Sequence, residues 1–499
     1  MAVRSTFPAG LALDAHKQQA CGAPIIELSQ PPRVTLALDQ GSGYDAEPVV
    51  TVGDTVAVGT LVARANHLYA SALHAPLAGT VVAIGMHEAA VEGGRGVCIV
   101  IESDGSGRVD DRVRPVQSAY SLSPEELIQC LRDAGIAGLG GAGFPTATKL
   151  VSARAGGTQT LLLNGAECEP WICSDDALMR CAADDVVLGA FLLRRASGAG
   201  RCVIAIEDDK PEAIAAVKGA IGRRRADAQR DDDLTLAVVP AMYPQGAERQ
   251  LITTITGIEI PSGNLPAEAG VICQNVATAA AVARWATLGE PILTRVVTVT
   301  GGGVVQPCNV RAPIGTPLSA LIAAAGGYRS VPLRLIAGGS MTGRALPSDE
   351  VGLTKAMNCV LVATQDDIGS RLGAVESPCI RCGDCSSVCP AGLLPQQLHR
   401  AALADAHDAL RHLGLRDCID CGLCDYVCPS QIPLTDRFRD ARRRLNAAEA
   451  TAQKAADARE RHELRTRRLQ ETATAEQQAF ESVRNRARQP GDDAAGGKS

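Results

Sequence analysis

Two runs of thiols, "SPCIRCGDCSSVCP" and "RDCIDCGLCDYVCP", carry the clearest chemistry in this 499-residue chain. They set Cys379, Cys382, Cys385 and Cys389 before Pro390, and Cys418, Cys421, Cys424 and Cys428 before Pro429. Both fit C-x2-C-x2-C-x3-C-P, in which three close thiolates wrap three irons of a [4Fe–4S] cubane and the fourth iron takes its thiolate from the other run. One cluster is therefore assigned to Cys379, Cys382, Cys385 and Cys428, and the other to Cys418, Cys421, Cys424 and Cys389. The exchanged fourth ligand staples the two runs together and holds the clusters close enough for electrons to hop. Zinc fits this spacing poorly, because zinc knuckles separate their ligand pairs more widely.

A second candidate is "GLGGAGFPTATKL", residues 138 to 150. Gly138, Gly140 and Gly143 spell G-x-G-x-x-G, yet a dinucleotide fingerprint needs a strand before the glycines and a helix after them. Here the helical text "SLSPEELIQCLRDAGI" precedes and the strand text "TLLLN" follows, which disfavours a Rossmann site. Taken alone, the loop serves either a cofactor or a tight turn. Some 20 residues on, "LLLNGAECEPWICSDD" places Asn164, Glu167 and Glu169 just past the end of a buried strand, where open α/β sheets bind ligands. Two carboxylates aimed at a cavity need hydrogen-bond donors, such as ribose hydroxyls, a carboxamide or a flavin edge; a solvated loop is the other reading.

The elements that must position these residues follow from composition and pattern. A hydrophobic share of 46% with 21% charge is that of a globular chain, and aromatics at 3% mean cores of Ala, Val, Leu and Ile. The length calls for several cores rather than one. A net charge of -6 leaves no basic stripe for phosphate backbones, so no nucleic-acid partner is expected. The first residues lack the apolar core of a signal peptide and no apolar run could span a bilayer, so the chain is expected to stay in the cytoplasm, without a transmembrane segment. In that compartment 18 cysteines point to metal rather than disulfides.

The expected fold is multidomain, α/β and α+β. Residues 1–30 read as an N-terminal arm. Residues 31–115 alternate with turn signals, as a lipoyl-like β barrel-sandwich does, but no lysine occupies a hairpin tip, so a structural or docking role is expected. In residues 120–290 strands alternate with helices, an α/β domain; its first helix has Ser123 and Glu126 as a capping box. Residues 291–345 follow a ββαβ order, suiting a β-grasp domain, and 346–374 form a connector. Residues 375–440 make a helical two-cluster domain, with Leu394, Leu398, Leu410 and Leu413 as an apolar face. Residues 441–499, rich in Ala, Arg and Glu, are a helical or disordered tail. Among the ten other cysteines, Cys168 and Cys173 match no metal spacing and read as small buried side chains, and the histidines form no cluster.

As a set, "GLGGAGFPTATKL", "LLLNGAECEP", "IEDDKPEAI", "YPQGAERQLI", "QNVATAAAV" and "PCIRCGDCSSVCPAGLLPQQL" resemble, in collinear order over residues 30 to 440, the C subunit of Rnf ion-translocating electron-transport complexes. The nucleotide domain of that family is similar to the NADH-binding flavoprotein of respiratory complex I. The resemblance implies FMN and NADH as cofactors beside two [4Fe–4S] clusters, with residues 120–290 as the FMN/NADH domain. It implies that Gly140, Gly141 and Gly143 let the backbone approach FMN, with Lys149 at its phosphate or ring edge. Asn164, Glu167, Tyr243, Asn275 and Thr278 would surround the flavin, while Phe144, Glu169 and Glu248 would face NADH. Ala166 stands where the complex I flavoprotein has an aspartate, so one polar contact to the flavin is missing or replaced. Ser174 likewise sits where those proteins often carry lysine.

The implied activity is that of a peripheral electron-input subunit of a membrane-bound NADH:ferredoxin oxidoreductase, on the cytoplasmic side of the inner membrane. The implied partners are the other Rnf subunits, several of them integral to the membrane and one ferredoxin-like, with ferredoxin reached indirectly. Ion transport would reside in those partners. The alternative is a soluble NADH-dependent flavo-iron-sulfur reductase, such as a cobalamin reductase.

Overall fold

The computed structural model describes residues 7–116, 119–228, 233–368 and 375–488. Residues 1–6 of the arm, 369–374 of the connector and 489–499 of the tail lie outside them.

Thr160–Gly165 reads TLLLNG and is buried along nearly its whole length, which a strand covered by helices on both faces requires. It is an inner strand of a four-stranded parallel sheet ordered Leu234–Val239, Arg201–Glu207, Thr160–Gly165, Val271–Asn275. From Thr160–Gly165 the chain builds the sheet outward in one direction, then crosses back to add Val271–Asn275 on the other side. The order therefore reverses between those two strands, and the crevice beyond their carboxyl ends is where such sheets bind ligands. The register sets Asn164 beside Asn275 at that crevice. Two covering helices, Ala183–Ser197 and Val276–Leu288, pack in close contact. Gly189 permits it, since a Cβ there would lie 1.8 Å from the Ala279 carbonyl oxygen. The helix Pro124–Asp133, which leads into the glycine loop, carries the capping box of Ser123 and Glu126 and buries Leu127, Ile128 and Leu131.

The N-terminal unit is two small antiparallel sheets, one of Arg33–Ala37, Arg95–Ser103, Gly79–Glu88 and Thr55–Val56, the other of Glu47–Pro48, Leu61–Arg64 and Leu73–His74. Alternate residues such as Val34, Leu36, Ile99 and Ile101 point inward and are fully buried.

The β-grasp sheet has six strands, and two come from segments that the sequence reading places elsewhere. Cys359–Ala363, within the stretch read as connector, pairs with Thr294–Thr300 on one side and Arg334–Ala337 on the other. All five of its residues are buried. Ile26–Glu27 of the arm adds a parallel edge strand beside Cys308–Pro313. Upstream, the arm lies half-exposed against the α/β and thiol-rich domains. Leu11 pairs with Tyr243, Gly10 donates to the Val388 carbonyl at 3.3 Å, and His16 stacks on Trp171 at 4.3 Å.

The thiol-rich domain is built on Pro395–Leu403, His407–His412 and the start of Leu434–Arg488. Leu398, Leu410, Leu415, Phe438 and Leu445 form its core, whereas Leu394 is 41% exposed. The last helix runs 55 residues, and its second half is solvated.

Candidate functional site

At the strand crevice lies a cavity of about 360 Å³. Four of its walls come from the glycine loop, the strand ends and the loops after them, the β-grasp hairpin loop, and the thiol domain at Ile419 and Cys421; Gly41 and Ala90 of the N-terminal unit, with Thr354 and residues 356–358, complete the lining.

The glycine loop gives the first wall with Gly140 and Gly141. A Cβ at Gly140 would press on the Asn275 side chain at 3.2 Å, and Gly141 has φ +114°, so side chains are excluded there by space and by backbone. The loop is held from behind. Thr278 accepts from the Leu139 amide at 3.0 Å and donates to the Ala137 carbonyl at 3.2 Å, both fully interior. Arg295, also buried, donates to the Leu139 carbonyl at 3.0 Å and to the Lys355 carbonyl. Burial lowers the Arg295 pKa to about 10, against the charge of Asp175.

The second wall is a network of amides and carboxylates. Asn164 donates to the Gly246 carbonyl at 2.7 Å, and Asn275 donates to Asp175 Oδ2 at 2.6 Å while accepting from the Ala277 amide at 2.8 Å. Glu167, in the left-handed region at φ +55°, turns its carboxylate onto the start of the helix Ser174–Cys181. It accepts from the amides of Asp175 at 2.7 Å and Asp176 at 3.0 Å, which satisfies orphan donors and complements the helix dipole. Burial and the neighbouring Glu167 charge push the Asp175 carboxyl up to about 7.

The third wall is tied on by Glu169, whose carboxylate accepts from the Met341 amide at 2.8 Å, the Thr342 amide at 3.0 Å and the Thr342 hydroxyl at 3.1 Å. Burial raises the Glu169 pKa even against these three donors. The fourth wall meets the second at Tyr243, whose hydroxyl donates to the Cys421 carbonyl at 2.6 Å.

Two smaller cavities open in the thiol domain. Cys379, Cys382, Cys385 and Cys428 line one, and Cys389, Cys418, Cys421 and Cys424 line the other. Each is thus bounded by three thiols of one run and the last thiol of the other. Among the described residues no three His, Cys, Asp or Glu side chains converge closely enough to hold a single metal ion; these thiols are spread around a space, as a multi-iron group requires.

Of the nucleotide-site residues expected from the sequence, Gly140, Gly141, Asn164, Glu167, Glu169, Tyr243 and Asn275 line the large cavity together. Gly143 sits behind it, against the Gln40 carbonyl, and Thr278 pins the loop from within. Lys149 and Glu248 pair with each other at 2.8 Å, the ammonium also reaching the Cys273 carbonyl at 3.2 Å. Phe144 is half-buried, its ring 5.5 Å from that of Tyr69, next to the stacked pair Tyr44 and His67. Sequence reasoning did not single out Asp175, Arg295 or the hairpin loop 338–343, and it read Cys168, which lines the cavity and accepts from the Gly246 amide at 3.1 Å, only as a small buried side chain. Only Arg295 left a trace, as a lone charge in the apolar strand "TRVVTVT".

Four families match consecutive parts of the chain: the RnfC barrel sandwich hybrid domain at residues 5–106, the Nuo51 FMN-binding domain at 131–284, the SLBB domain at 296–345 and the 4Fe-4S dicluster domain at 378–432. Among curated relatives, the C subunit of the ion-translocating oxidoreductase complex of Pseudomonas aeruginosa is 44% identical over 470 residues, 94% of this chain and 59% of that protein. Its counterparts in Pectobacterium carotovorum and Vibrio cholerae are 40% and 39% identical, over 93% and 82% of this chain and 61% and 52% of their own lengths. The chain thus spans between about half and six-tenths of these relatives. A solved NAD+-reducing [NiFe]-hydrogenase in the H2-reduced state superposes with a TM-score of 0.44 at 21% identity, covering 67% of this chain and 64% of that one.

Proposed function

The chain belongs, over the length it spans, to the family formed by the C subunits of ion-translocating oxidoreductase complexes, and we propose that it is the electron-input subunit of such a complex, taking electrons from NADH and passing them singly to partner subunits. The relatives carry the name of the complex, which favours this reading over a soluble cobalamin reductase. Among the described residues no helix is long and apolar enough to cross a membrane; on the proposed function the chain sits at the periphery, on the cytoplasmic side, and ion movement resides in membrane-integral partners.

The residues present suit the groups that this activity needs. A cavity of about 360 Å³ is in the range of small-molecule and cofactor sites, and it lies at the switch point of a parallel sheet. One wall has no side chains at Gly140 and Gly141, and another offers the amides of Asn164 and Asn275. Each smaller cavity is bounded by four thiols, the donor set of a cubane. When bound, a flavin supplies the exchange between a hydride donor's electron pair and the single electrons that each cubane accepts.

The protein's own part is positioning. Asn275, fixed by Asp175 and by the Ala277 amide, holds the switch-point wall, and the Glu167 cap fixes the loop between strand and helix. Ala166 is fully buried, so the position without the aspartate is packed rather than polar. Cys421 stands in the wall of the large cavity and in that of the second thiol cavity. That residue, shared along with Ile419, is the observation on which the proposal rests, because it leaves only a single layer of protein between the two sites.

Anaerobic titration of the purified chain with NADH tests it, followed by flavin absorbance and by EPR of the clusters. Bleaching of the flavin and growth of reduced-cluster signals are expected. A chain containing flavin and about eight irons that ignores NADH with its partner subunits present would defeat the reading.

A further inference from the structure

The large cavity has three acidic residues in its walls and one cation. Glu167, Glu169 and Asp175 stand in its walls, and Arg344 is the only Lys, Arg or His among the described residues that line it. A nucleotide brings phosphate into such a space, and phosphate oxygens leave water only for donors or positive charge.

Two backbone anion sites nearby are taken. The start of the helix Ser174–Cys181 is filled by the Glu167 carboxylate, and that of Val276–Leu288 is capped by Asn275. The helix Glu248–Thr256 opens with an acid in its first turn. Lys149, the cation of the glycine loop's helix, is outside the cavity lining and bound to Glu248.

Arg344 is placed differently. It opens the edge strand Arg344–Ala345, which pairs with Arg334–Ala337 to form a hairpin. Glu169 pins the tip of that hairpin through Met341 and Thr342, so the base from which Arg344 extends is fixed. The side chain itself is exposed. Among the described residues it makes one long hydrogen bond, 3.4 Å from Nη1 to the carbonyl of Ala90, another cavity residue, and pairs with no carboxylate. A guanidinium so held keeps most of its planar fork of donors available, and that fork matches phosphate.

We propose that Arg344 anchors a nucleotide phosphate in the large cavity, so that the β-grasp domain supplies the cation which the glycine loop and strand ends lack. The inference rests on reading this cavity as a nucleotide site. The flavin 5′-phosphate and the pyrophosphate of a dinucleotide share the chemistry, and the test separates them.

Affinities of the full-length chain for FMN, riboflavin, ADP-ribose and adenosine are measured by fluorescence quenching and calorimetry, in wild type, Arg344→Ala, Arg344→Lys and Lys149→Ala. Retention of about eight irons reports that each variant is folded. Arg344→Ala is expected to weaken either FMN or ADP-ribose by about 10- to 100-fold, the worth of a charge-assisted hydrogen bond. Riboflavin and adenosine, which lack phosphate, should change by less than about twofold, and Arg344→Lys should recover part of the loss. The ligand that moves identifies the phosphate. Unchanged ratios of FMN to riboflavin and of ADP-ribose to adenosine in Arg344→Ala overturn the assignment, as does a shift that appears in Lys149→Ala instead. A wild type that binds none of the four ligands overturns the nucleotide reading itself, a different result from unchanged ratios.

Discussion

The two thiol cavities are built from one local plan and set in unlike surroundings. Arg381 and Asp420 both take left-handed backbone, φ +59° and +55°, followed by Gly383 and Gly422 at +92° and +76°. Four-residue helices, Asp384–Ser387 and Leu423–Tyr426, come next in each. Beyond that the resemblance stops. Cys379 and Cys382 of the first cavity are exposed, as is every residue from 375 to 384, with Ile380 at 68%. The second cavity is enclosed by other domains, with Tyr243 holding the Cys421 carbonyl and the Met341 carbonyl close to Gly422, and by its own last helix, from which Arg442 donates to the Cys418 carbonyl at 3.2 Å. A short motif fixes how thiols are arranged, and contacts from distant sequence fix how enclosed each cavity is; on the proposed function, the enclosed one is the entry point for electrons. The second cavity adjoins the large cavity, and the first opens to solvent.

The largest effect expected from this asymmetry is the loss of a whole branch of reduction. Cys421→Ala should lower iron to about four per chain and leave the flavin reducible by NADH, while the remaining cluster stays oxidised. Cys382→Ala should remove about the same iron, yet the remaining cluster should still develop its EPR signal on adding NADH. Iron analysis with EPR after one equivalent of NADH decides the matter. The reverse pattern, with Cys382→Ala blocking the second cluster, would place the entry point at the exposed cavity and break the comparison.

A smaller effect separates the surroundings by pH. No carboxyl lines the first cavity among the described residues, whereas the large cavity adjoining the second includes Asp175, pushed up to about 7 by burial and the Glu167 charge. The unfolded carboxyl titrates near about 4. Between these values the folded state binds more protons than the unfolded one, so stability falls as pH rises from about 4 to about 7 and then levels. At about 1.4 kcal/mol per pKa unit the loss is at most about 4 kcal/mol. Glu207, pushed up to about 7 mainly by burial, adds a term of the same sign. Denaturation of Asp175→Asn at pH 5 and pH 8 should therefore show a shallower slope than wild type, not a flat one. An unchanged slope would mean that Asp175 is ionised in the fold.

What was legible in the sequence was whatever short spacing encodes. The division of eight thiols into two sets follows from the C-x2-C-x2-C-x3-C-P runs, and the lining of the two small cavities divides in the same way. "TLLLN" announced a buried strand by its unbroken apolar run, and Ser123 with Glu126 announced a helix start. What was illegible depends on long-range meetings. Glu169 stands between Cys168 and Pro170 in the text, with no sign of the hairpin 172 and 173 residues away that its carboxylate holds. Asp175 reads as one more acid in "SDD", since the donor that meets its buried carboxyl, Asn275, lies a hundred residues on. "CVLVA" has the signature of a buried strand, yet its sheet partners lie on both sides of a crossover that no local pattern specifies.

Tyr243 offers the finest test of the asymmetry, because it touches one twin and not the other. Its hydroxyl donates to the carbonyl of Cys421, so the positive end of the O–H dipole points towards the second cavity. Reduction adds negative charge to a cluster, and a donor dipole aimed at it favours that state and raises the potential. Tyr243→Phe keeps the ring and removes the dipole. One neutral hydrogen bond is worth about 0.5–1.5 kcal/mol, which for a single electron caps the shift at about 60 mV. The second cluster should therefore move to lower potential by tens of millivolts in an EPR-monitored titration, while the first stays within error. An equal shift of both would mean that the substitution acts by loosening the domain as a whole, and a shift of the exposed cluster alone would reverse the order of the path.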